Sequence, residues 1–160
     1  MLYLYCDGAI EPKNPGGHAV GGWVLKAADD KTVLARGARS YGSAPDVTNN
    51  VAEYGAVHTG LQQVLKKYDQ LRDQLDRLVV RSDSQLIIKQ LQNEFACRNP
   101  VLRRMRDEIF ILLEEFLNFV EFEWVPREAN TDADAASRLL YAEGETAIAV
   151  VHWIITDKRG

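Results

Sequence analysis

Four acids in this chain could act together: Asp7, Glu53, Asp83 and Asp134. Each also has a local, purely structural reading. Asp7-Gly8 is a turn dipeptide, although residues 9–17 are too many for a tight hairpin. Glu53 stands three residues after Asn50, the spacing of a capping box. Asp83, in Ser82-Asp83-Ser84-Gln85, could cap the helix that follows it. Asp134 falls in the first turn of a helix, where the dipole favours an anion and Arg138 at i+4 could pair with it. Asp132 is its rival, but two residues are about 200° apart around a helix, so only one of the two can face a given site. Gathered in one place, four carboxylates repel unless cations join them. Oxygen ligands with little His or Cys nearby suit Mg²⁺ or Mn²⁺. Two such ions roughly 3.5–4 Å apart would suit phosphodiester hydrolysis.

The elements that must position these acids read as strands followed by alternating helices and strands. Residues 2–6 form a first strand that ends at Asp7, and residues 11–17, rich in Pro and Gly, form a loop. Residues 18–27 and 32–41 are two strands joined by a turn at Asp29-Asp30. Val57, Leu61, Val64, Leu65 and Tyr68 recur at helical spacing across residues 50–68, with Asn50 as cap. Residues 78–81 are β-rich, and residues 83–93 read as a short helix. Asn99 followed by Pro100 starts the next helix, whose buried stripe is Leu102, Met105, Ile109, Leu112 and Phe116. Val120, Phe122 and Trp124 alternate with Glu121 and Glu123, as in a half-buried strand. A loop over 126–130 leads to a last helix over 131–142, and residues 146–155 read as an additional edge strand. Strands alternating with helices predict an α/β sheet with helices packed on it, and sites at the strand ends.

Composition narrows the function. The chain has 160 residues, 46% hydrophobic and 26% charged, as expected of one globular domain. Its net charge is −4, so it cannot hold nucleic acid by a bulk cationic surface; any such partner must be held locally or through bound metal. Two cysteines cannot make a disulfide framework. The start of the chain shows no signal-peptide pattern, and no apolar run is long enough to span a bilayer. A cytoplasmic, monomeric protein without membrane association is expected.

The acids sit within segments that together resemble the type 1 ribonuclease H family. These are Asp7-Gly8-Ala9 with Asn14-Pro15-Gly16-Gly17; Gly22-Trp23-Val24; Thr48-Asn49-Asn50 with Ala52-Glu53; Ser82-Asp83-Ser84-Gln85; and Trp124-Val125-Pro126-Arg127-Glu128 with Asn130 and Ala133-Asp134. They occur in family order over about residues 2–140. The resemblance implies a five-stranded mixed sheet, with strands 1–3 antiparallel and strands 4 and 5 parallel, over a domain of residues 1–142. Residues 143–160 would then be a C-terminal tail with an additional strand. It further implies metal-dependent endonucleolytic cleavage of the RNA strand of RNA–DNA hybrids, leaving 5′-phosphate and 3′-hydroxyl ends. Asp7, Glu53, Asp83 and Asp134 take the family's catalytic and metal-binding positions, with two Mg²⁺ (or Mn²⁺) ions during catalysis. Asn14, Thr48, Asn49, Asn50 and Gln85 match substrate-binding positions, Thr48 that of a DNA phosphate.

Two departures stand out. The active-site-loop His of the well-known branch is missing; Val125-Pro126-Arg127-Glu128 stands there, as in a branch with a Pro-Arg-Glu loop, where Arg127 or Glu128 would assist proton transfer or product departure, and Arg127 is counted among the substrate-binding positions. The basic protrusion is also missing, with only residues 94–98 between two helices. Trp23, Trp124 and Trp153 lie in strand patterns and are expected in the core. A non-catalytic hybrid-binding module is the alternative, opposed by the complete set of four acids. A 3′ exonuclease is disfavoured because Ala9 stands where that class places a second acid.

Overall fold

The computed structural model describes residues 1–116, 119–140 and 148–154. Its strands are β1 (Leu2–Glu11), β2 (His18–Lys26), β3 (Val33–Ser40), β4 (Arg77–Ser82), β5 (Phe119–Trp124) and β6 (Ala149–Trp153). The helices are α1 (Asn49–Lys66), α2 (Tyr68–Leu71), α3 (Gln85–Leu91), α4 (Pro100–Leu113) and α5 (Thr131–Ser137), and a 3₁₀ turn over Arg127–Ala129 precedes α5. One sheet runs β5-β4-β1-β2-β3-β6. β1, β2 and β3 are antiparallel, β4 and β5 extend the sheet in parallel from β1, and β6 adds antiparallel to β3. This is the expected mixed α/β sheet with its additional strand. The expected ends of the last helix at 141–142 and of the tail strand at 146–147 and 155 lie outside the described residues. No helix among the described residues is long and apolar enough to cross a membrane.

β1 overturns one expectation. Asp7 does not end the strand, because the chain stays paired with β2 as far as Glu11 opposite His18. What ends at Cys6, opposite Ser82, is the parallel pairing with β4. Asp7 therefore sits where one neighbour leaves the sheet and the other continues. Ala9, Ile10 and Glu11 extend only because β2 is there to pair with them, which local patterning does not show.

Two adjacent glycines explain how α1 and α5 come to lie on opposite faces. Successive strand residues point to opposite sides. A Cβ on Gly21 would lie 2.6 Å from the Ala56 nitrogen of α1, and one on Gly22 would overlap the Ser137 backbone of α5. On the α1 face the core gathers Leu2, Leu4, Cys6, Trp23 and Leu25 under Val57, Leu61 and Val64, with Ile109 of α4 also buried there. Gly22→Ala is expected to push α5 off β2. Overpacking of this kind costs about 1–3 kcal/mol, a Tm loss of roughly 3–10 °C at this size, which thermal unfolding followed by circular dichroism would measure.

The caps differ from those expected. The cap of α1 lies two residues earlier than Asn50, at Thr48, whose side chain accepts from the Val51 N–H. Glu53 is thus freed from a capping box. α3 is capped by Ser84, not Asp83, and the Ser84 hydroxyl accepts from the Ile87 N–H. Both reassignments leave the acid available for other work. α4 begins as expected, with Asn99 accepting from the Val101 and Leu102 N–H groups and Pro100 following.

Candidate metal centre

Asp7 and Asp83 occupy the first positions beyond the last β1–β4 pair, so two parallel strands present their acids side by side. Glu53 reaches them from α1. Its helix lies against Gly8, where a Cβ would come within 2.5 Å of the Glu53 nitrogen; only glycine permits that approach. Carboxylate oxygens of Asp7, Glu53 and Asp83 all lie within 4.8 Å of one another. Asp134 joins from α5, and its charge acts on Asp7. Asp132, on the far side of that helix turn, pairs instead with Lys26 at 2.8 Å. The four acids line one cleft of about 320 Å³ together with Asn49, Glu11, Arg127 and Arg138.

The electrostatics follow from crowding in a dry place. Burial, then the charges of Asp83 and Asp134, pushes Asp7 up to about 8. Burial, reinforced by Asp7 and Asp83, holds Glu53 well above the usual carboxylate range. Asp83 is raised by burial, opposed chiefly by the Arg127 guanidinium, whose Nε lies 3.9 Å from its Oδ2. Glu53 Oε2 is buried and has no hydrogen-bond partner among the described residues. An orphaned, buried carboxylate oxygen facing two further acids is the donor set of a hard cation, and the residues present fit Mg²⁺ or Mn²⁺.

The remaining expected positions form the rim. Asn49 donates from its backbone N–H to Asn14 Oδ1 (3.1 Å) and from its side chain to Glu53 Oε1 (3.4 Å). Asn50 is half-buried in the first turn of α1, and Gln85 is exposed at the start of α3. The Thr48 hydroxyl is used by its own helix cap. Arg127 is almost fully exposed and leans toward Asp83. Arg138 pairs with Asp134 at 3.8 Å, as the i+4 spacing predicts, and also with Glu11 at 3.1 Å.

Three residues escaped the sequence reading. The Pro and Gly after Glu11 read as a loop that includes it, but Glu11 is the last residue of β1 and lines the cleft. Trp124, expected in the core, is 43% exposed, and its indole Nε1–H donates to the Asp83 backbone carbonyl at 3.1 Å. It lies on an edge strand, and alternation alone cannot show that its face is uncovered. Asn130 is buried, and its amide donates to the Cys6 carbonyl at 2.8 Å; an amide where a loop enters a helix reads as a cap, but its side chain caps nothing.

A mixed sheet of this order, with helices on both faces and an acidic cleft where β1 and β4 part, defines the ribonuclease H-like class. Residues 5–139 match the family described as Reverse transcriptase-like. The crystal structure of RNase H1 from the halophilic archaeon Halobacterium salinarum is 33% identical, covers 89% of this chain and 98% of its own, and superposes with a TM-score of 0.73. LC11-RNase H1, solved in complex with an RNA/DNA hybrid, is 28% identical, covers 90% of this chain and 100% of its own, and has a TM-score of 0.77. The Bifunctional protein Rv2228c of Mycobacterium tuberculosis is 34% identical over 121 residues, 76% of this chain; the present chain spans 30% of its length. The chain belongs to the type 1 ribonuclease H family.

Proposed function

We propose that this protein hydrolyses the RNA strand of RNA–DNA hybrids endonucleolytically, with divalent cations, Mg²⁺ or Mn²⁺, held by Asp7, Glu53, Asp83 and Asp134. The observation that carries the reading is the convergence of Asp7, Glu53 and Asp83 within 4.8 Å, from three separate elements, at an oxygen-only site. When bound, two divalent ions supply a polarised water and charge stabilisation at the leaving oxygen. The chain's own groups do the positioning. Glu53 is fixed by Asn49 and by the close approach over Gly8, and Asp83 by the end of β4. Asn14, Asn49, Asn50 and Gln85 would hydrogen-bond 2′-hydroxyls and minor-groove edges of a hybrid, as amides can. Thr48 would meet a DNA phosphate with its hydroxyl, which accepts from the Val51 N–H and keeps its own O–H to donate. Arg127 at the rim would meet a backbone phosphate.

Products would carry 5′-phosphate and 3′-hydroxyl ends. Residues 1–142 would form the nuclease unit and 143–160 the tail that contributes β6, the whole acting as a monomer. The test is cleavage of a labelled, covalently closed RNA–DNA hybrid by the purified protein with Mg²⁺ or Mn²⁺. Internal cuts in the RNA strand are expected. Asp134→Asn should remove most activity and Asp132→Asn should retain it, because Asp132 faces Lys26 rather than the cleft. A folded protein that binds the hybrid but cuts it with neither metal would establish the hybrid-binding module instead.

A further inference from the structure

The backbone at the metal centre has a problem of its own. β1 and β4 pair in parallel as far as Cys6 and Ser82, and β4 pairs with β5 as far as Ser82 and Trp124. Past that line the strands separate, and carbonyls near the divergence lose the neighbour a ladder would provide. A buried carbonyl left without a donor is costly, so the fold must supply one to Cys6; at Asp83 the bond is exposed, and what a fixed donor adds there is a defined position. For Ser82 the donor is the Val125 N–H at 3.0 Å. Two side chains supply the others. Asn130, from the turn before α5, donates to the carbonyl of Cys6, one residue before Asp7. Trp124, at the end of β5, donates to the carbonyl of Asp83 itself.

We propose that Trp124 and Asn130 are positioning residues: their N–H groups hold the parted ends of β4 and β1 so that Asp83 and Asp7 already face a common cation before it arrives. The inference rests on the metal-dependent reading above. Both donors are neutral. They fix the backbone without adding a positive charge that would compete with the ion for the carboxylates, as a lysine in either place would. Asn130 also ties two of the acids together. Its side chain holds the strand of Asp7, while its own carbonyl accepts the Asp134 N–H at 3.1 Å, the first helical bond of α5. Trp124 holds a single acid, Asp83, on the other side of the cleft, from the end of the strand against which β4 ends. Neither residue touches a reacting atom; each acts through the acid it places.

The test uses Trp124→Phe, which keeps an aromatic side chain on an edge strand and removes the N–H together with the second ring of a side chain that is already 43% exposed. Asn130→Ala is the companion variant, and its folding is checked by thermal unfolding because the site is buried. Mn²⁺ affinity is measured by isothermal titration calorimetry on the intact protein, alongside the Mn²⁺ dependence of cleavage and the KM for hybrid. Trp124→Phe is expected to keep its Tm and its KM, to bind Mn²⁺ about 10-fold more weakly, the scale of a lost outer hydrogen bond at a metal site, and to recover turnover as Mn²⁺ is raised. Unchanged Mn²⁺ affinity in a folded Trp124→Phe protein overturns the proposal while leaving the nuclease reading intact. Failure of the unaltered protein to bind Mn²⁺ at all overturns both.

Discussion

Asp7→Asn is expected to lower hybrid cleavage by about three orders of magnitude, the scale of losing one preorganised charged group from an active centre, while making the metal-free protein more stable at neutral and alkaline pH. The two effects have one cause. Asp7 is 7% exposed and stands among the charges of Asp83, Asp134 and Glu53. Its carboxylate faces like charge on three sides. An amide of the same shape keeps the packing and the Gly8 N–H contact at 3.0 Å, and removes the charge the cluster resists. Steady-state cleavage and thermal unfolding of the same preparation would read both. A variant that lost activity and stability together would mean that Asp7 supports the fold rather than the ion.

The second large effect is on pH. In the metal-free protein, stability should fall as pH rises between about pH 4 and pH 8. The sign follows from proton counts. Asp7 titrates near 8 in the fold, and Glu53 and Asp83 are also raised, in each case first by burial. In the unfolded chain Asp and Glu titrate at roughly 3.9 and 4.3. Over that interval the native state holds protons that the unfolded state has released, so each unit of pH destabilises it. The contribution is complete below about pH 4 and gone once pH has passed the Asp7 value. A difference of a few pKa units is worth several kcal/mol, which at this chain length is a Tm change of roughly 10 °C. Mg²⁺ or Mn²⁺ should flatten the profile, because ions that bind only the folded centre stabilise it most where the carboxylates are ionised. Melting curves across this range, with chelator and with metal, check the prediction. A chelated protein whose Tm stayed level from about pH 4 to pH 8 would contradict it.

Much of this arrangement could be read from the residues, and the misses have identifiable causes. Helix geometry separates Asp134 from Asp132, and the structure sends the second to Lys26. Asn99-Pro100 marks the start of α4 because the two residues have different and compatible tasks. The start of α1 is harder, since Thr48, Asn49 and Asn50 are all good caps and only the turn toward Asn14 selects the first. Asp7 looked like a strand end because Pro12 and the glycines after it read as a loop; the pairing that extends β1 comes from β2, which local pattern cannot see. Trp124 has the alternation of a buried residue, but on its edge strand it stays 43% exposed. The acids themselves were legible only as a set, because each has an adequate local explanation and only the sheet topology brings them to one cleft.

The two margins of the sheet differ in a way that bears on behaviour in concentrated solution. β5 carries Glu121 and Glu123, tied to Arg77 and Arg81 of β4, so one flank shows fixed charge to an approaching molecule. On the other flank β6 covers β3 and leaves only five residues as the outermost strand. Charge and brevity are two separate ways of refusing a stranger's backbone. Among the described residues there is therefore no long, neutral fringe from which fibrils or stacked chains could be templated.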